Sequence, residues 1–285
     1  MNNLNRVNFY LGTLTNYDLE KINLIGNTEI KTPWNKDIYD NPLKNLLVKT
    51  NNYGKKLNYI LGDNYIDTCP STIVKTRGRD SVNGVILRCL NFNRHWYYYY
   101  HKKQDSCFDK KKNIIFWRGT TTGEISNPGN RFDLVTRYFN KNSKIDIGFY
   151  NLCQAKKEYG KYVKGWVDIS EFLKNKYILS IEGNDKDSGL NWKLNSQSVI
   201  FMPKPRITSW LMETSLIPNF HYILVKDDFS DLEEKYEWCE KHPEECKKII
   251  KNANLFMKQF NNQDEEKKIE EEVINKYFKI IGKIQ

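Results

Sequence analysis

The sequence predicts an α/β protein in two domains, from three observations. From residue 113 onward, apolar runs of four to six residues alternate with helical stretches, the rhythm of parallel βαβ units. Before that point the apolar runs are short and lie between turns rich in Asn, Asp and Gly. The length, 285 residues, suits one large domain or two modest ones. We expect an N-terminal domain over 1–110, a parallel-sheet domain over 111–262, and a C-terminal helix over 263–285 that packs back on the first domain.

In chain order, Leu57–Leu61 and Val85–Leu87 read as strands of the first domain, and Lys110–Lys112 as a surface joint. Ile114–Trp117 is the first strand of the second domain. A Gly/Thr-rich loop follows it, then a helix around Phe132–Phe139 and a strand at Ile145–Phe149. Ile169–Leu173 reads as helix, Tyr177–Ile181 as strand, and Leu190 and Leu194 share a helix face. Ser198–Met202 is a strand, Trp210–Leu216 a helix and His221–Val225 the last strand. Right-handed crossovers would place helices on both faces of such a sheet. Ser230 followed by Glu233 has the spacing of a capping box, and Pro243 suits the first position of the next helix. On that helix Cys246, Ile249, Ile250, Ala253, Phe256, Met257 and Phe260 form one apolar stripe. Ile269, Val273, Ile274, Tyr277, Phe278 and Ile281 form another on the final helix, and both stripes read as core.

Composition narrows the classes. Hydrophobic residues are 39% of the chain and aromatics 14%, enough to bury a core. The first ten residues lack the apolar run of a signal peptide and no segment reaches spanning length, so a cytoplasmic protein, peripheral to a membrane at most, is expected. Net charge is +10, spread along the chain. That fits a solvated surface or attraction for an anion such as a nucleotide diphosphate. A basic nucleic-acid-binding protein is the competing reading, but the basic residues form no cluster and no binding motif accompanies them. The six cysteines show no C-x-x-C pair and the four histidines no metal spacing, so free, mostly buried thiols and no metal are expected.

Two strand ends could carry chemistry. In the stretch from Lys176 to Ser198, a buried strand runs into Gly183 and then into a helix beginning near Ser188. Glycine there admits a ligand close to backbone, and a helix start offers free N–H groups. A plain turn capped by Asp187 or Ser188 would look the same. The second junction is FWRGTTTG, where Arg118, Gly119 and Thr120 end a strand and Arg131 opens the next helix. Guanidinium groups suit a diphosphate because each can fork two oxygens. Asp185-Lys186-Asp187 matches a metal-binding Asp-x-Asp only superficially and serves capping as well. Asp63 follows an apolar run, as a turn residue or a carboxylate facing a cleft. The aromatic run His95–Tyr100 reads as a strand with alternate residues buried, or as a sugar-stacking platform.

The residues KYILSIEGND, Trp192, SVIFMPKP, the W-x-x-E of Trp210–Glu213 and HYILVKDDFSDLEEK together resemble glycosyltransferase family 90. KTR at 75–77, Arg94-His95 and FWRG at 116–119 fit the same pattern in the same order, so the similarity covers roughly 57–285. The resemblance implies a GT-B architecture, two Rossmann-like domains facing across a cleft, with the nucleotide sugar held by the C-terminal one. It implies an inverting, metal-independent transfer from a UDP-sugar, UDP-glucose or UDP-xylose, to a hydroxyl of a glycan, lipopolysaccharide-like or protein acceptor. By position, Arg118 and Arg131 would hold the diphosphate. Gly183, Asn184, Asp185 and Ser188 would line the donor loop, with Trp192, Ser196 and Ser198 supporting it. Glu213 would touch the donor or brace the site, and Asp63 would take the acceptor proton. A catalytically inactive sugar-binding relative would carry much of the same pattern.

Overall fold

The computed structural model describes residues 3–16, 37–63, 68–91, 105–154 and 156–282. In chain order the elements open with α1 (Asn3–Leu11), α2 (Asp37–Lys49), β1 (Asn58–Ile60), β2 (Thr72–Val74), β3 (Arg77–Gly78) and β4 (Val85–Ile86). Next come β5 (Lys112–Thr120), α3 (Arg131–Tyr138), β6 (Ile145–Asn151), α4 (Ile169–Leu173), β7 (Asn175–Leu179), α5 (Leu190–Leu194) and β8 (Val199–Met202). The last are β9 (Ile207–Thr208), β10 (Ile223–Leu224), α6 (Leu232–Lys241), α7 (Pro243–Lys258) and α8 (Gln263–Ile281). The chain divides into two compact units. One gathers Met1–Tyr97, Arg206–Thr214 and Gln259–Gln285; the other comprises Tyr98–Pro205 and Ser215–Lys258.

The second unit is built on a five-stranded parallel sheet in the order β10-β8-β7-β5-β6. Its strands are short runs of Ile, Val, Phe and Tyr buried on both faces, as parallel strands between helices must be. On one face Trp117, Ile147, Phe149, Tyr177 and Phe201 pack with Phe132 of α3 and Tyr236 of α6. Trp117 and Phe149 meet edge to face at 5.7 Å. On the other face Phe116 meets Phe172 of α4 at 4.9 Å, and Phe172 meets Trp192 of α5 at 5.4 Å. Aromatic pairs at these distances add to the area they bury.

The first unit joins distant segments through one buried carboxylate. Arg6 of α1 forks Glu266 of α8 at 2.5 and 2.8 Å, and the Trp210 indole N–H donates to the same carboxylate at 2.6 Å. Tyr10 stacks on Trp210 at 3.8 Å and donates its hydroxyl to the Trp210 carbonyl. A parallel sheet β1-β2-β4 lies in this unit, with a two-stranded antiparallel pair β3-β9. The apolar stripe of α8 is buried as expected: Ile269, Val273, Ile274, Tyr277, Phe278 and Ile281 all face inward.

Several expectations are corrected. Trp210–Leu216 is a turn rather than a helix, with a single helical turn at Glu213–Ser215. Met212 takes φ 60° and its N–H closes on Ser209 O, while both carboxylate oxygens of Glu213 bond Ser209. No capping box forms at Ser230. Helix α6 starts at Leu232 behind Asp231, whose carboxylate instead accepts from Lys226 N–H. Lys111 is no surface joint: it is buried, and its ammonium bonds Asp105, Leu173 O at 2.6 Å and Ser198 Oγ at 2.9 Å. The six thiols are free, but only Cys239 and Cys246 are buried. Arg94 and the run His95–Tyr100 lie outside the described residues.

Candidate functional site

Open parallel sheets receive ligands in the loops beyond the carboxyl ends of their strands. In the second unit the loops leaving β5, β6 and β7 are knit together there, and Arg131 makes the tie between those of β5 and β7. Asn130 caps α3 by accepting from Phe132 N–H at 2.9 Å and Asp133 N–H at 2.8 Å, which fixes where Arg131 leaves the helix. Its guanidinium donates to Glu182 O at 3.0 Å, Ile181 O at 3.1 Å, Thr120 O at 3.1 Å and Thr122 Oγ1 at 2.6 Å. A β-bulge at Gly119/Thr120 re-aims the end of β5 at this point.

Asn184 makes the second tie. Its Oδ1 accepts from Gly123 N–H at 2.8 Å and from Gln154 Nε2 at 3.0 Å, and the Lys156 ammonium donates to Gly123 O. Thr121 Oγ1 donates to Cys153 O and accepts from Cys153 N–H, both at 2.7 Å. Only glycine fits the crossing. A Cβ on Gly183 would stand 2.7 Å from Thr122 Oγ1 and 2.9 Å from Arg131 Nη2. A Cβ on Gly123, where φ is +97°, would meet the Gly183 carbonyl at 2.9 Å.

The charges beneath the loop are coupled, Lys193 buried and Asp187 with 12% of its side chain exposed. Asp187 Oδ2 pairs with the Lys193 ammonium and accepts from Ser180 Oγ at 2.7 Å, while Oδ1 accepts from Gly189 N–H at 2.9 Å. Burial pushes this carboxyl up, but Lys193 and the hydrogen bonds outweigh it and hold it below its ordinary value. Burial lowers Lys193, with Asp187 opposing, and lowers Arg131 in the same way. Asp187 is therefore committed within the protein. Among the described residues no three His, Cys, Asp or Glu side chains gather as metal ligands.

The structure brings together Thr120, Arg131, Gly183 and Asn184. Asp185 lies buried in the same loop, its carbonyl accepting from Gly183 N–H at 2.8 Å, and Ser188 is exposed at the loop's end. Other predicted residues lie elsewhere. Arg118 stands on the opposite face of the sheet from Trp117, over Phe116 at 4.5 Å, with its guanidinium on Asp146 at 2.8 Å. Gly119 makes room for the Trp117 indole, which a Cβ would approach to 2.5 Å. Trp192 is core. Ser198 Oγ donates to Asn175 O at the amino end of β7, and Ser196 Oγ caps Lys193 O nearby, so both serve the far end of the sheet. The expected helix start near Ser188 is a five-residue helix behind Gly189, with no side-chain cap.

In the first unit Glu213 braces its own turn. Asp63, just past β1, accepts from the buried Lys75 ammonium at 2.6 Å and from Tyr39 OH at 3.4 Å, and keeps 28% of its side chain exposed. A second carboxylate four residues on, Asp67, lies outside the described residues. Sequence reasoning missed Gln154, Lys156 and Lys193. The end of β6, NLCQAK, is a third polar strand end like the two that were noticed and would have flagged Gln154 and Lys156. A lysine six residues after Asp187 carried no such signal.

A family model described as glycosyl transferase family 90 matches residues 97–283. The chain is 34% identical over 203 residues to O-glucosyltransferase LpsA of Dichelobacter nodosus, covering 71% of this chain and 60% of that protein. It is 32% identical over 152 residues to protein O-glucosyltransferase 2 of Danio rerio, 52% of this chain and 29% of that one. An uncharacterized protein, 179R, of Invertebrate iridescent virus 6 is 34% identical over 100 residues, 33% of this chain and 8% of that one. The chain thus spans less than two thirds of each of these relatives. No helix among the described residues is long and apolar enough to cross a membrane. The family match takes in every strand of the five-stranded sheet and all three loops tied at its carboxyl ends, and the chain belongs to glycosyl transferase family 90.

Proposed function

We propose that the chain transfers a sugar, glucose or xylose, from a UDP-sugar to a hydroxyl on a glycan, lipopolysaccharide-like or protein acceptor. The transfer inverts the anomeric centre, needs no metal and runs on a GT-B scaffold. The observation that carries this is the knot of loops beyond β5, β6 and β7, with the half-buried guanidinium of Arg131 behind Gly183. Two relatives bear O-glucosyltransferase names.

In this reading the diphosphate lies against the Gly183–Ser188 loop, with Asn184 and Ser188 offering donors. Arg131 supplies positive charge from behind, where low dielectric strengthens it. Asp63 takes the proton of the acceptor hydroxyl as its oxygen attacks the anomeric carbon. The bond from that carbon to the diphosphate breaks, and the electron pair leaves with UDP. Lys75 orients the Asp63 carboxylate.

Two measurements test it. UDP at 100 times its dissociation constant is expected to stabilise the fold by about 2.7 kcal/mol, read as a rise in Tm. No shift with any uridine nucleotide would sink the donor assignment. Asp63→Asn is expected to cut transfer ~10²–10⁴-fold with UDP affinity retained, and near-normal transfer would place the base elsewhere.

A further inference from the structure

One buried charge under the loop has no part in that chemistry. Lys193 is 4% exposed and turns back from α5 beneath the residues that precede it. Its ammonium donates to Leu179 O, at the end of β7, at 3.1 Å and pairs with Asp187 near the loop's end. Asp187 in turn holds Ser180, the first loop residue, and Gly189, the last. The segment from Ile181 to Lys186 therefore leaves and returns through one neck, closed by a single ion pair. Arg131 grips the Ile181 and Glu182 carbonyls from the other side. Helix α5 has only five residues, too few to hold a shape by its own hydrogen bonds.

We propose that Lys193, acting through Asp187, is a positioning residue for this loop: it sets the loop's shape, and through it the affinity for the nucleotide sugar, without touching the donor. This rests on reading the loop as the donor site. With the neck opened, only a fraction of molecules would hold the binding-competent loop, and apparent affinity falls by that fraction. Saturating donor would draw the population back, so the loss would appear in the donor KM and in the UDP Kd, with kcat largely kept.

The test uses the full chain, with UDP titrated calorimetrically and donor turnover read as UDP release. Asp187→Asn combined with Lys193→Met removes both charges together and strands neither. This variant is expected to keep the wild-type circular dichroism, raise the UDP Kd at least about tenfold, and leave kcat within about threefold, on the population argument above. Ser180→Ala, which removes one hydroxyl from the neck and leaves the ion pair, is expected to weaken UDP several-fold. Wild-type UDP affinity in the double variant, or in Ser180→Ala should the double variant not fold, overturns the proposal. A wild-type chain that binds no uridine nucleotide overturns the donor reading itself and this inference with it.

Discussion

Arg118 and Arg131 show what strand phase decides for one arginine and a helix start for the other. Arg118 was read as a diphosphate ligand from its place at a strand end, and Arg131 from its place at the start of the next helix. Arg118 shares a sheet face with Phe116 and reaches back to Asp146, which also takes Lys164 at 2.7 Å. Burial pushes the Asp146 carboxyl up, but hydrogen bonds from Lys164 and Arg118 outweigh it and leave it below its ordinary value. Arg131 instead gathers the loops. Arg118→Ala is therefore expected to lower the melting temperature with UDP affinity near wild type, whereas Arg131→Ala is expected to lower both. Charge-assisted hydrogen bonds are worth ~1.5–3 kcal/mol each, so UDP Kd values measured beside thermal melts will separate the two. Weakened UDP binding by a well-folded Arg118→Ala would return it to the site. Gly183 was legible as a glycine that something must approach. What approaches it, in the protein's own structure, is Thr122 and Arg131, partners more than fifty residues away that no local pattern names.

Elements were legible where period and burial agree. The strands β5 to β8 and the stripe of α8 follow from apolar rhythm alone, because each buries a continuous face. Helix starts were less so, since a cap depends on where the backbone turns. The Ser230 signal fails because Asp231 ties back to Lys226 and Phe229 takes φ 57°. Asn130 and Asn262, which do cap, accept two N–H groups each. Ser230→Ala should thus stay within ~0.5 kcal/mol of wild type, while Asn130→Ala should cost ~0.5–2 kcal/mol, both read from urea melts. The loop after β7 carries a pH signature of its own. The Asp187 carboxyl lies below its ordinary value in the folded chain, so its contribution is complete above the unfolded value, ~3.9, and is lost as pH falls through the folded one. Melting temperature should hold from neutral pH to about 5 and drop below about 4. The Asp187→Asn, Lys193→Met double variant should show a shallower drop, and an identical one would mean that other carboxylates set it.

At the scale of the molecule, the sequence reading sent the final helix, 263–285, back to the first domain, but nothing in it showed that Arg206–Thr214 joins the unit holding β1, β2 and β4. Nothing local marks Trp210 as a partner of Tyr10, 200 residues earlier. A chain cut after Lys258 is expected to lose the first unit, because α8 buries eight side chains including Ile274 and Tyr277. Limited proteolysis should then trim its N-terminal region and spare a core beginning near residue 98, and resistance of residues 3–91 would contradict this. The same closure by Glu266 sets an order of birth. Arg6 and Glu266 are 260 positions apart, so at ~5–20 residues per second of synthesis α1 waits roughly 13–50 s for its carboxylate. The later unit has its whole sheet translated before the earlier one can close, and nascent α1 spends that interval with its apolar face open to chaperones.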